Sequence, residues 1–134
     1  MERYQQQLAD NHTLEVFNHN QLIFSSKGHW LLPLFAFEQF LETYTGERDC
    51  LCAHDTAAGK AAALLMTRFG IGRAHINLIS ELALEYYRQH NIEVSFEHCI
   101  DRLQCKTETL LSTMEDESQM YQLLHKRAME SITN

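Results

Sequence analysis

Cys50-Leu51-Cys52-Ala53-His54-Asp55-Thr56-Ala57-Ala58-Gly59-Lys60-Ala61-Ala62-Ala63-Leu64-Leu65 passes from a strand pattern to a helix pattern within one stretch. Cys50–Ala53 is a short apolar run, the pattern of a central strand buried on both faces. Ala57–Phe69 opens on alanines, which favour helix and permit close packing. Asp55 or Thr56 supplies the N-cap, and Gly70-Ile71-Gly72 ends the helix. His54–Lys60 is therefore expected to be a strand-to-helix turn.

The pattern repeats on the C-terminal side. Ala74–Ile79 alternates as a strand, Ser80 caps a helix over Glu81–His90, and Ile92–Phe96 alternates again after a turn at Asn91. A single long helix is expected over Lys106–Glu130, with Leu110, Leu111, Met114, Tyr121, Leu124 and Ala128 as its buried stripe. On the N-terminal side, residues 1–12 are a polar lead-in. Thr13–Phe17 and Gln21–Ser25 flank an Asn-rich turn and read as a hairpin. Pro33 opens a helix over Leu34–Tyr44. Strands alternating with helices imply right-handed crossovers and a mostly parallel sheet covered on both faces. The expected fold is a three-layer α/β/α sandwich, a mixed sheet with an antiparallel N-terminal hairpin, in one domain over residues 1–134.

Composition narrows the function. A chain of 134 residues, 45% apolar, with five Gly and one Pro, builds one globular core without staples. The apolar runs are too short to span a bilayer, and Met1–Asp10 lacks the apolar core of a signal peptide, so a cytoplasmic protein with no membrane partner is expected. The net charge of −7 argues against nucleic-acid polymers, whose binding relies on Lys and Arg. Cys50, Cys52, Cys99 and Cys105 are expected to be reduced.

Ligands of open α/β sheets bind beyond the carboxyl ends of the strands. Two strand ends here lead into helix N-termini, at His54–Lys60 and at Ser80-Glu81, and such termini favour anions. The expected ligand site is Asp55, Thr56, Gly59, Lys60, Ser80 and Glu81, for a nucleotide or another phosphate-like small molecule. Gly59 would admit the ligand and Lys60 would supply charge. A packing role for Gly59, a solvated Lys60 and simple capping by Asp55 and Thr56 are the alternative. The stretch is not a P-loop, which requires Gly at 54 and Ser or Thr at 61. His54, Asp55 and Glu81 are candidate catalytic groups, with His54 and Glu81 meeting across strand ends as base and acid. Cys52 with His54, and His98-Cys99 with Cys105, lack the paired spacing of metal sites; no metal or cofactor is expected. Met114, Met120 and Met129 mark a stripe that suits core packing or a homodimer face.

Asp55-Thr56-Ala57-Ala58-Gly59-Lys60-Ala61-Ala62-Ala63-Leu64-Leu65 resembles the signature Asp-Lys-x-x-Gly-Lys-Ala-Ala-Ala-Leu-Leu of the domain of unknown function 1893 family. Ile79–Glu85, Asn91–Val94, Ser25–Gly28 and Leu32–Leu34 resemble further segments in the same order, from about Leu14 to Glu115. The resemblance implies a fold related to cytidine deaminases. Those enzymes hold zinc with His or Cys at one helix start and Cys-x-x-Cys at the next, with a Glu as proton shuttle. The matching starts here, Asp55–Lys60 and Ser80–Leu84, carry no Cys, and no His-x-Glu precedes the first. A zinc-free binding or regulatory domain is the leading expectation. A metal-independent enzyme on a nucleoside-like substrate, or a dimerising subunit, are the others. The family's Cys-Pro-Met-Glu is Ser112-Thr113-Met114-Glu115 here, so family thiol chemistry would fall to Cys105.

Overall fold

The structure, a computed structural model, describes residues 2–133. Its five strands are β1 (Leu14–Asn18), β2 (Gln21–Ser26), β3 (Leu51–Ala58), β4 (Arg73–Ser80) and β5 (Glu93–Ile100). They form one sheet in the order β2-β1-β3-β4-β5. The hairpin β1–β2 and the β1–β3 pair are antiparallel, while β3, β4 and β5 run parallel. The helices are α1 (Leu32–Glu42), α2 (Lys60–Phe69), α3 (Glu81–Gln89), α4 (Lys106–Leu111) and α5 (Glu117–Thr133).

All five helices share one hydrophobic core with one face of the sheet. In register, Val16, Ala53, Ala74 and Val94 lie side by side on that face. Phe37 of α1, Leu64 and Met66 of α2, Tyr87 of α3 and Leu124 of α5 pack on the same side, each fully buried. Each such side chain contributes roughly 2 kcal/mol of burial. Ala61 through Met66 are buried without a break, because α2 lies among α1, α3, α4 and α5. A helix enclosed on all sides must be apolar all round, which explains the alanine and leucine run.

The three-layer sandwich expected from the sequence is corrected here. The opposite face of the sheet carries no helix layer among the described residues. Residues 2–12, which include a short 3-10 turn at Arg3–Gln5, cross it instead. Under this strap lie Tyr4, Phe17 and Cys52 as a small second core, and a polar row in register: Glu15, His54, His75 and Ser95. A row of that composition needs internal hydrogen bonds rather than an apolar cover. It has them: Glu15 takes His12 Nδ1 at 2.6 Å and the Ala9 N–H at 3.2 Å, and His75 Nδ1 meets Ser95 Oγ at 2.7 Å. Gln5 Nε2 ties the strap to Ser95 at 3.2 Å.

Several boundaries also differ: α1 lies two residues earlier and β5 runs on to Ile100, and two further differences bear on the cleft. The strand expected to stop at Ala53 continues to Ala58, because β3 is flanked on both sides. It pairs with β1 through Asp55 and with β4 through Ala58, and the ladders override the helix preference of Ala57-Ala58. Residues 54–58 are therefore strand, and Asp55 and Thr56 are not helix caps. The long C-terminal helix is broken at residues 112–116. The Lys60 ammonium draws on the carbonyls of Leu111 and Met114, at 3.0 and 2.8 Å, at the end of α4. Asp116 then accepts the Gln119 N–H and starts α5 afresh.

No helix of the described residues is long and apolar enough to cross a membrane. The four cysteines are free thiols.

Candidate functional site

A cleft of about 440 Å³ opens beyond the carboxyl end of β3. Asp55, Thr56 and Ala57 form its sheet side, Ala61 and Ala62 of α2 its floor, residues 28–34 one wall and residues 103–108 the other. Most of the lining is apolar, with Leu31, Pro33, Leu34 and Leu103 facing the space. This volume lies within the roughly 300–1,000 Å³ of small-molecule sites.

Asp55 is the distinctive group in it. The residue is half-buried on the cleft wall. Burial pushes its pKa up to about 7, and the backbone N–H groups of Thr56 and Ala57 pull back only part of that rise. Among the described residues, no Lys or Arg lines the cleft. Nearby in the core, the Tyr87 hydroxyl is fully buried with no hydrogen-bond partner among the described residues. Burial, and then the Asp55 charge, push the Tyr87 pKa well up. Thr56 is committed to β1: its Oγ1 donates to the Thr13 carbonyl at 2.7 Å.

Gly59 and Lys60 have different surroundings. Glu108, at 2% exposure, reaches the start of α2 from α4. Its Oε1 accepts the Lys60 N–H at 2.9 Å and Ser80 Oγ at 2.6 Å, and its Oε2 accepts the Leu103 N–H. One carboxyl thus joins the starts of α2 and α3 to the far wall of the cleft. A Cβ at position 59 would lie 2.8 Å from Glu108 Oε1 and 3.0 Å from Leu103 Cδ1. Gly59 is thus required by protein, in addition to lining the cleft. Lys60 sends its ammonium away from the cleft to α4, and the phosphate-like anion expected from the sequence meets no Lys or Arg there.

The remaining sequence candidates separate. Ser80 is buried and caps α3 as expected, accepting the Ala83 N–H at 3.2 Å. Glu81 is exposed on the first turn of α3 and borders a different hollow. His54 lies on the strap side of the sheet, 2% exposed. Its Nδ1 donates to the Tyr4 carbonyl at 2.9 Å, its Nε2 meets the Asn77 amide at 2.9 Å, and its ring abuts His75 edge-on at 4.8 Å between centroids. His54 and Glu81 are not brought together as base and acid. Cys105 lines the cleft beside Glu108.

Zinc of the deaminase kind does not fit these helix starts. Gly59-Lys60 offers no side-chain ligand, and Ser80-Glu81 offers one exposed carboxylate. Among the described residues, Glu47, Asp49 and Cys50 are the group close enough together to share an ion, in an acidic turn before β3 outside the cleft.

Sequence reasoning missed Glu108, Trp30 and the strap. Glu108 sat unremarked on an expected continuous helix, where an acidic residue is ordinary. Trp30 carries a signal that could have found it, a lone Trp close to Gly28 and Pro33 in a loop.

Comparison with known proteins gives the fold independent support. The profile of the family described as Domain of unknown function (DUF1893) matches residues 5–128. A crystal structure of a DUF1893 family protein from Thermotoga maritima superposes with a TM-score of 0.74 at 20% identity, covering 87% of this chain and 81% of that one. None of the curated proteins compared with the chain matches it.

Proposed function

This chain belongs to the DUF1893 family, and on that footing we propose that it is a binding domain for a small, hydrogen-bond-donating molecule, neutral or cationic, held in the β3 cleft. The observation that carries this is Asp55, a half-buried carboxyl on the wall of an apolar cleft that no Lys or Arg lines among the described residues, its pKa pushed up by burial to about 7. Such a carboxyl has only the backbone N–H groups of Thr56 and Ala57 as donors. It gains most from a ligand that brings N–H groups to it, because a charge-assisted hydrogen bond is about twice as strong as a neutral one. Two carboxyls, Asp55 and Glu108, border the space and oppose an anion.

The relation in fold to cytidine deaminases belongs to the same proposal, supported by the strand order and by helices entered directly from β3 and β4. The chemistry does not follow from it, since the ligand positions of the metal are taken by Gly59-Lys60 and Ser80-Glu81. The reading is of binding rather than turnover.

Calorimetric titration with acetamidine and with inorganic phosphate tests the proposal. Acetamidine is expected to bind, with Asp55→Asn lowering its affinity at least tenfold. Phosphate binding that survives Asp55→Asn, with no amidine binding, would overturn it.

A second reading, self-association, is favoured by β5. This edge strand exposes Phe96 and Ile100 along an unpaired backbone, and an antiparallel pair of such edges is self-complementary. Sedimentation of Phe96→Lys against wild type tests it, since a dimer through β5 would dissociate.

A further inference from the structure

Trp30 stands at the mouth of the same cleft. It is the one Trp of the chain, and 43% of it is exposed. Its backbone has φ 59°, in the left-handed region. The other non-glycine residues there are Asn11, His19 and Asn91, the side-chain types that tolerate this conformation. A bulky aromatic does not, and strained backbone of this kind persists where the surroundings hold it and clusters at binding sites. Among the described residues, the indole stacks on no other ring and its N–H has no hydrogen-bond partner. A large apolar side chain is thus held in an unfavourable backbone conformation and left half in water, at a cavity entrance.

Two groups with room for a partner therefore border one space. Asp55 has only backbone donors, the N–H groups of Thr56 and Ala57, and the half-exposed Trp30 indole stacks on no other ring among the described residues. Between them the walls are Leu31, Ala61 and Leu103. A ligand that satisfies both has a flat apolar face and an edge of N–H groups. Its size is one ring or two fused rings, given a cleft of about 440 Å³, and it bears no phosphate.

We infer that the cleft takes a planar, nitrogen-bearing aromatic ring, stacked on Trp30 with its N–H edge on Asp55. This rests on the binding function proposed above and adds the shape of the ligand to it. Stacking on an aromatic side chain is sequence- and substituent-tolerant, because it uses only the ring face. The donor edge on Asp55 then selects among rings.

Trp30 makes the inference measurable, since the indole emission of the protein comes from this one position. Benzamidine and acetamidine present the same donor edge, and only the first has a ring. Benzamidine is expected to quench the emission saturably and to bind at least tenfold more tightly than acetamidine. Trp30→Ala should weaken benzamidine on the order of tenfold by calorimetry while acetamidine, which has no ring to stack, keeps its Asp55-dependent binding. Trp30→Phe should restore most of the loss. Equal affinity of the two amidines, or benzamidine binding untouched by Trp30→Ala, overturns the ring while the Asp55 site stands. Failure of both amidines to bind in an Asp55-dependent way overturns the site itself.

Discussion

Residues 55–57 and residues 59–60 are neighbours in one short stretch, yet they answer to different demands. The first group ends a strand and faces a cavity. Asp55 has burial without a cation beside it, and its donors are backbone N–H groups. The second group begins a helix and is bonded into the protein. The Lys60 N–H, its ammonium and the bare Cα of Gly59 all have protein neighbours, in α4 and the loop before it. A Gly-Lys pair at a helix start invites an anion reading, because its N–H groups and charge suit one. Here another part of the chain has supplied the anion, the Glu108 carboxylate. The Gly-Lys half of the signature is bonded within the protein, and the acidic half before it lines the cleft proposed as the binding site.

Removing the internal anion is the strongest way to break this division. Glu108→Ala leaves the Lys60 N–H, the Leu103 N–H and the Ser80 hydroxyl without their acceptor in a buried place. A loss of about 4 kcal/mol is expected in urea unfolding, given roughly 1–3 kcal/mol per stranded group less relaxation. A loss under about 1 kcal/mol would show that the junction is not held this way.

Asp55 gives a test through pH. Unfolded, it ionises near pH 4; folded, it holds its proton up to about 7. In that window the folded chain binds the additional proton, so Asp55 lowers stability as the pH climbs from about 4 to about 7, by about 1.4 kcal/mol for each tenfold fall in proton concentration. Asp55→Asn should melt higher than wild type at pH 8, with the gap closing toward pH 4. A gap independent of pH would remove the carboxyl from its half-buried setting.

Gly59→Ala should cost about 2 kcal/mol, as overpacking against Glu108 and Leu103. In the Glu108→Ala background the same change should cost clearly less, leaving the share owed to Leu103, and this double-mutant cycle separates packing on Glu108 from any ligand role. Lys60→Met should cost about 1 kcal/mol through the Leu111 and Met114 carbonyls, and leave amidine affinity unchanged. A Lys60→Met variant that lost ligand binding would return the lysine to the cleft.

The order of strands and helices was legible, because period and punctuation are local: the hairpin, the Ser80 cap and the parallel units all appear where the residues imply. The end of β3 was not, because Ala57-Ala58 favour helix locally and are overruled by a neighbouring strand that sequence does not display. The break before α5 depends on Lys60, some fifty residues away. The helix-free face was hidden for a related reason. Cys52 and His54 read as either core or ligands, and the cover that makes them core is a polar segment with no periodic signal. At the candidate site, Asp55, Thr56 and Gly59 were legible from the rule about strand ends. Trp30 and Glu108 were not, since each matters through residues far along the chain.

The strap over the sheet also bears on synthesis. Gln5 bonds Ser95, 90 residues later, and Tyr4 meets His54 across 50. At about 5–20 residues per second on a ribosome, Gln5 waits on the order of ten seconds for its partner to exist. During that interval the cover over Phe17 and Cys52 rests on Tyr4 and its bond to His54 alone, so a nascent chain stalled before β5 carries a strap fastened at one point fewer than the finished molecule.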